Sequence, residues 1–429
     1  MLEKALGAVE RQHDALRLRY RKEGEAWVQA HVAPSEALRL VVRDLSSVAE
    51  LGPVLAELHQ SLRLESGPVF SALFARLGDG TARLALVAHH LVIDGVSWGP
   101  ILEDLLLAYA ALERGEVPKL PAKTTSFKQW SEQLLAYAET PGAKTELDAW
   151  LSALDREGKT TLPMNEASAS DTVGEASTIA SWLSPDETKT LLTEAPKAFD
   201  VKVNEVLIAA LARALASWCG QSSARLDIEG HGRELFEDLD LSRTVGWFTA
   251  LYPFLVRVGA KESARETLAR VKDGIRRIPH GGVGFGVLRY LSPDASVRAR
   301  LAALPRAEVA FNYLGQLGQI PAHSVVLGAA KEGLGPLHSP RGKRPHRLEI
   351  NAVVTAEGLR VNWTFGAEVF TAESIERLSA AFISNLRGLL KDSAEPAATA
   401  VRVGADFPAA RVSNKDLQKL LNRTRTPRS

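Results

Sequence analysis

One segment constrains this chain more than any other. From Val203 to Trp218, the residues Val203, Val206, Leu207, Ala210, Leu211, Ala214 and Trp218 recur at helical spacing. A helix apolar around so much of its girth has to be buried. Short strand-like runs and helical patterns alternate on both sides of it. In the first part, Leu2–His13, Glu50–Leu62 and Val96–Leu112 read as helices. Leu16–Tyr20, Trp27–Val32 and Leu38–Val42 read as short strands, and Val69–Arg76 and Arg83–His90 as two strands joined by the turn Gly78-Asp79-Gly80. Phe127–Leu154 is amphipathic and broken near Pro141-Gly142. In the second part, Ser177–Leu183, Ala224–Glu229 and Glu308–Leu314 are strand-like, and His346–Thr355 with Gly358–Phe365 reads as a hairpin. Ser184-Pro185 opens one helix, and Thr371 caps a last one that carries Ile375, Leu378, Phe382 and Leu386 on a single face. The grammar is that of a mixed α/β fold.

The polar stretch Gly158–Gly174, with Pro163 and Ala167-Ser168-Ala169-Ser170, marks a boundary. The expected organisation is an N-terminal lobe over 1–160, a linker over 161–176, a C-terminal lobe over 177–392 and a tail over 393–429. A length of 429 residues supports two or three such units. Basic residues outnumber acids seven to three in the tail, which reads as solvated linker.

Composition removes several functional classes. Lys and Arg total 52 against 51 Asp and Glu, so no electrostatic case exists for nucleic acid or an anionic membrane. The lone Cys219 excludes a disulfide framework and any multi-cysteine metal site, and it points to a reduced, cytoplasmic setting. No run of about 18 apolar residues occurs, and the start lacks an apolar signal core.

Four segments carry residues capable of chemistry. His89-His90-Leu91-Val92-Ile93-Asp94-Gly95 sits where a strand gives way to a helix, a common place to present side chains. Neighbours on a strand face opposite ways, so one histidine can look outward while the other packs inward. Asp94 can order the loop or pair with an arginine, and Gly95 suits a tight turn. Zinc is a weaker reading, because no adequate third and fourth ligands accompany these residues. In Glu229-Gly230-His231-Gly232-Arg233-Glu234, Glu229 closes a strand and two glycines flank His231. A solvated loop with an ion pair is the plainer reading there. Thr244–Thr249 reads as an aromatic core turn. Phe311-Asn312-Tyr313-Leu314-Gly315-Gln316 ends a strand, where Tyr313 is either a proton donor or a half-buried structural phenol.

Other patterns fail. Gly281-Gly282-Val283-Gly284-Phe285-Gly286 does not fit a dinucleotide loop, and no phosphate-binding loop or serine elbow is present. Cys219 ends the apolar helix and reads as an inert buried thiol.

Taken in order, HHLVIDGVSW, EGHGRE, TVGWFTALYP, GGVGFGVLRYL, FNYLGQ and RPHRLEINAVV resemble the signature of nonribosomal peptide synthetase epimerization domains over roughly residues 1 to 392. The H-H-x-x-x-D-G core is shared by the whole condensation-domain superfamily. Trp98, Glu229 and the Thr244–Pro253 stretch look like the epimerization branch. The resemblance implies two lobes of the chloramphenicol-acetyltransferase type, forming a V around a shared tunnel. It implies that His90 and Glu229 are catalytic and come from different lobes, with Tyr313 and Asn312 nearby. His89, Asp94, Gly95, Trp98 and His231 would support the site. The implied reaction inverts the α-carbon of an aminoacyl or peptidyl thioester on the 4′-phosphopantetheine arm of a carrier protein. No metal and no cofactor of the domain's own are implied.

Inversion requires proton removal on one face and delivery on the other, which two acid–base groups satisfy. Glu229 is expected as one base, and His90 as the second base or as the stabiliser of the enolate. The implied partners are a peptidyl carrier protein domain upstream and a condensation domain or module downstream. Rival readings are a peptide-bond-forming condensation domain, an acyltransferase using coenzyme A esters, and a non-catalytic carrier-docking module. The strand and helix with a P-I-Q-x-W-F-like motif that usually open such domains have no counterpart in the sequence, so an N-terminally truncated first lobe is expected.

Overall fold

The computed structural model describes residues 1–34, 40–154, 160–165, 171–316, 328, 330–333, 335 and 337–394. The chain forms two compact units. The first comprises 1–136, 231–249 and 318–339; the second comprises 137–230, 250–317 and 340–429. They are not the two consecutive lobes expected. The described part of the 161–176 stretch belongs to the second unit, and most of the tail lies outside the described residues.

In the first unit, α1 (Leu2–Gln12) leads into the hairpin β1 (Leu18–Glu23) and β2 (Ala26–His31). A three-stranded sheet follows, built from β3 (Leu40–Leu45), β4 (Phe70–Leu77) and β5 (Ala82–Ala88), with α2 (Leu51–Gln60) inserted after β3. α3 (Trp98–Glu113) comes next, and α4 (Phe127–Ala138) runs to the unit's edge. Strand alternation explains the layers. Leu73, Ala75 and Leu77 of β4 pack with Leu51, Leu55 and Leu58 of α2. Phe70 and Ala72 of the same strand pack the other way, with Leu6 and Val9 of α1 and Ile101 and Leu105 of α3.

The second unit opens with α5 (Pro141–Ala153), then β6 (Ala176–Trp182), α6 (Pro185–Phe199), α7 (Val203–Cys219) and β7 (Ser223–Gly230). It continues with β8 (Ala250–Arg257), α8 (Ala264–Arg276), α9 (Val283–Gly286), α10 (Ala295–Ala302), β9 (Val309–Gln316), β10 (Leu348–Thr355), β11 (Gly358–Gly366) and α11 (Ala372–Ala394). Its six strands run in the order β6-β11-β10-β9-β7-β8. β9 is parallel to both β7 and β10, and the remaining pairs are antiparallel.

Capping is local and legible. The Ser184 hydroxyl accepts the Glu187 N–H, and Glu187 returns the bond to the Ser184 N–H, as the sequence Ser-Pro-x-Glu demands. α7 is buried along nearly its whole length and ends at Gly220 in the left-handed region.

The sheet has two unlike faces. One buries Leu226 and Ile228 of β7, Phe311 of β9, Ile350 and Ala352 of β10, and Val361 and Trp363 of β11 against Leu207 and Leu211 of α7 and Phe382 and Leu386 of α11. By alternation the other carries Asp227 and Glu229, Asn312, Glu349 and Asn351, and Asn362 and Thr364.

β8 and α8 were not anticipated. Pro253 interrupts β8's strand signal, and it is tolerated because β8 is the sheet edge. The glycine-rich segment before α10 serves packing. A Cβ on Gly282 would fall 2.0 Å from the Tyr252 ring, and one on Gly284 would fall 1.7 Å from a Glu146 carboxylate oxygen. These glycines let the chain pass close to an aromatic and a buried acid.

Candidate functional site

In the first unit, β5 ends at Ala88, so the two histidines occupy a tight turn rather than a strand. Their separation comes from that turn. His89 is half-buried, and its Nδ1 accepts the Leu91 N–H at 3.2 Å. Burial, and then the neighbouring His90, push its pKa below 6.5. His90 is exposed, with its ring centroid 4.9 Å from that of Trp247 and tilted by 57°. The Tyr20 hydroxyl donates to the Leu91 carbonyl at 2.9 Å, and burial raises that phenol to about 12.

Asp94 lies beneath this turn, only 3% exposed. One carboxylate oxygen accepts the Ser97 N–H (2.9 Å) and hydroxyl (2.7 Å). The Arg233 guanidinium donates to both oxygens, at 2.7 and 3.1 Å, and the Phe248 N–H adds a bond at 3.2 Å. A carboxylate out of water is tolerated when it is paired and fully hydrogen-bonded, and Asp94 meets both conditions. Arg233 also stacks over the Phe248 ring, 4.1 Å from its centroid. The Ser97 hydroxyl, donating to Asp94, accepts the Gly246 N–H at 3.2 Å. The loop therefore grips segment 231–249, which carries Trp247 to His90.

A second buried carboxylate is paired with an arginine of the same segment, but only one of its oxygens is hydrogen-bonded among the described residues. Arg243 donates to the fully buried Asp104, whose other oxygen lies 2.9 Å from His13 Nε2.

The remaining first-unit candidates have plainer settings. Trp98 opens α3 and packs against the apolar core. His231 is exposed, and its Nε2 lies 3.0 Å from Glu234 Oε1, a hydrogen-bonding contact within a surface loop. Gly95 corrects the expectation placed on it. Its φ is outside the left-handed region, and a Cβ there would meet nothing within 4 Å. The turn does not require a glycine.

In the second unit, Glu229 stands near the end of β7, half-buried, and Asn312 of β9 donates to its Oε2 at 2.6 Å. Register extends this pair into a row, because Asn312 faces Asn351 of β10, and Asn351 faces Asn362 of β11. Tyr313 departs from its expected place. One residue along β9, it turns to the opposite face and packs against the helical core, where burial raises its pKa. The half-buried structural phenol is the reading that the geometry supports. Cys219 is likewise inert, its thiol raised to about 12 by burial.

Sequence reasoning did not single out Arg233, Ser97 or Arg243. Their partners lie 139 or 149 residues away, so only the fold reveals the pairing. No group of three potential metal-binding side chains occurs among the described residues, and no described helix is long and apolar enough to cross a membrane.

The fold and these two constellations define a condensation-superfamily domain. The condensation domain family model matches residues 1–406, and the chain belongs to that family. A linear gramicidin synthase from Brevibacillus parabrevis is 39% identical over 427 residues, covering 97% of this chain and 8% of its own length. Chondramide synthase of Chondromyces crocatus is 36% identical over 98% of this chain and 11% of its own length. The chain thus spans about a tenth of the curated relatives it matches. The epimerization domain from the third module of tyrocidine synthetase B superposes with a TM-score of 0.85 at 29% identity, covering 91% of this chain and 88% of that one. The first condensation domain of the calcium-dependent antibiotic synthetase gives 0.67 at 19% identity, covering 93% and 88%, a likeness of fold alone.

Proposed function

We propose that this domain inverts the α-carbon of an L-aminoacyl or peptidyl thioester carried on the phosphopantetheine arm of a carrier protein, giving the D-form. The observation that carries this reading is Glu229, a carboxylate held at 2.6 Å by Asn312 on the polar face of the sheet. Peptide-bond formation has no necessary role for it. The higher TM-score with an epimerization domain supports the same branch.

The chemistry balances without a cofactor of the domain's own. One base takes the α-proton, and the electron pair moves onto the thioester oxygen as an enolate. A second group returns a proton to the opposite face. Glu229 is proposed as one of these groups, and His90 as the other or as a donor to the enolate oxygen. Donors aimed at such an oxygen contribute several kcal/mol in a water-poor setting. Tyr313 takes no part in this scheme. Asp94, Ser97 and Arg233 fix the turn that presents His90 and touch no reacting atom. The carrier domain precedes this unit in the proposed assembly, a condensation domain or module follows it, and the assembly works in the cytoplasm.

The test is incubation with an L-aminoacyl or peptidyl carrier protein, then hydrolysis and chiral analysis. The D-form is expected. A dipeptidyl thioester formed from two loaded carriers, without inversion, would replace this reading with condensation.

A further inference from the structure

The second unit holds a cavity of about 380 Å³ at the N-terminal ends of β9 and β10, lined by Asp171, Thr172, Arg306–Glu308, Lys343–Pro345 and Arg347. It is a built feature. The backbone of 171–173 pairs with that of 342–344, through Val173 N–H to the Gly342 carbonyl at 2.8 Å and Arg344 N–H to the Asp171 carbonyl at 3.1 Å. The Arg344 side chain is buried, anchored on the Thr364 carbonyl at 2.8 Å and on Asp171 at 3.4 Å, and Asp171 also takes Arg347 at 3.1 Å. One carboxylate thus serves two guanidinium groups. The side chains of Arg306 and Lys343 have no hydrogen-bonding or ion-pair partner among the described residues, and Glu308 is the only other acid on the lining. Four cations face the two lining acids and Glu349, which also pairs with Arg344, so one positive charge is left in excess, and forked guanidinium donors suit phosphate oxygens.

Its position along the strands narrows the choice. Arg344 reaches Glu349 at 3.6 Å, on the same polar face as Glu229. Ala307 and Glu308 run directly into β9, and Arg347 directly into β10. The Asn312–Asn351 row lies about four residues further along both strands, roughly 13 Å at strand rise. An extended phosphopantetheine arm spans that separation.

We infer that this cavity binds the phosphate of the 4′-phosphopantetheine arm and so sets how far the thioester extends along the polar face. The inference rests on the proposed reaction for its ligand, and its test separates the two.

Binding of 4′-phosphopantetheine, pantetheine and inorganic phosphate is measured on the whole chain and on the Arg306→Ala, Lys343→Ala double variant. Both side chains are exposed, so the variant retains its fold. The parent should bind the phosphorylated arm about tenfold more tightly than pantetheine, with weakening at high salt, and the double variant should lose that preference. In turnover the loss should appear as a raised KM for loaded carrier. Equal binding of the two arms by the parent overturns the inference, as does an unchanged preference in the variant. Equal weakening toward a carrier that lacks the arm would assign the cavity to the carrier's own surface and also overturn it. A parent that prefers the phosphorylated arm yet inverts nothing sinks the proposed reaction and leaves the phosphate site standing.

Discussion

The His90 turn and the Glu229 strand each present one group of the proposed reaction, but they hold it by opposite means. His90 sits on three residues of irregular backbone, and its position depends on a buried carboxylate, a guanidinium and a hydroxyl that lock the turn to segment 231–249. Glu229 sits on a six-stranded sheet whose register places Asn312 beside it. Irregular backbone has to be fixed by specific side chains, whereas a sheet fixes position through its ladder. The first arrangement should therefore fail steeply when one support is removed, and the second should fail gently.

The largest effect should follow Arg233→Ala. It leaves Asp94 charged and unpaired at 3% exposure, which costs about 3–5 kcal/mol. Urea denaturation reads it, with Asn351→Ala on the polar face as the sheet control, expected within about 0.5 kcal/mol. Replacing both partners by Asp94→Asn with Arg233→Leu should recover part of the loss. A cost below about 1 kcal/mol for Arg233→Ala would erase the contrast.

A smaller effect sharpens the sheet side. Asn312→Ala removes one hydrogen bond to a carboxylate, worth about 1.5–3 kcal/mol when fully expressed. Glu229 is half-buried, so a loss of about tenfold in kcat is expected. KM should hardly move, because the amide touches the carboxylate rather than the substrate. A change confined to KM would make Asn312 a substrate contact instead.

The smallest effect is a pH slope on the turn. Burial holds His89 below 6.5 in the folded chain, so the unfolded chain binds the proton first. Stability is unaffected above about 6.5 and falls as pH drops from there through the folded pKa. His89→Gln should flatten that slope. An unchanged slope would remove His89 from the supports of the turn.

Much of this division was readable in advance. The apolar girth of α7 and the alternation along β10 and β11 reported burial directly, because periodicity encodes which face is covered. Alternation also separates Tyr313 from Asn312, although the motif places them side by side. The supports of His90 were not readable. Asp94 and Arg233 meet only after the chain returns 139 residues later, and nothing near Asp94 in sequence names its partner. α8 escaped notice because its buried stripe includes Thr267 and Lys272 among charged neighbours.

The central proposal is that Glu229 and His90 both serve inversion of the α-carbon. The most direct measurement is α-deuterium incorporation from heavy water, using L- and D-aminoacyl carriers with Glu229→Gln and His90→Ala. The account predicts that each variant loses inversion by about 10²-fold or more. It also predicts that at least one of them still exchanges the α-proton of a single enantiomer. Unchanged inversion in Glu229→Gln, or full exchange of both enantiomers in His90→Ala, would contradict it.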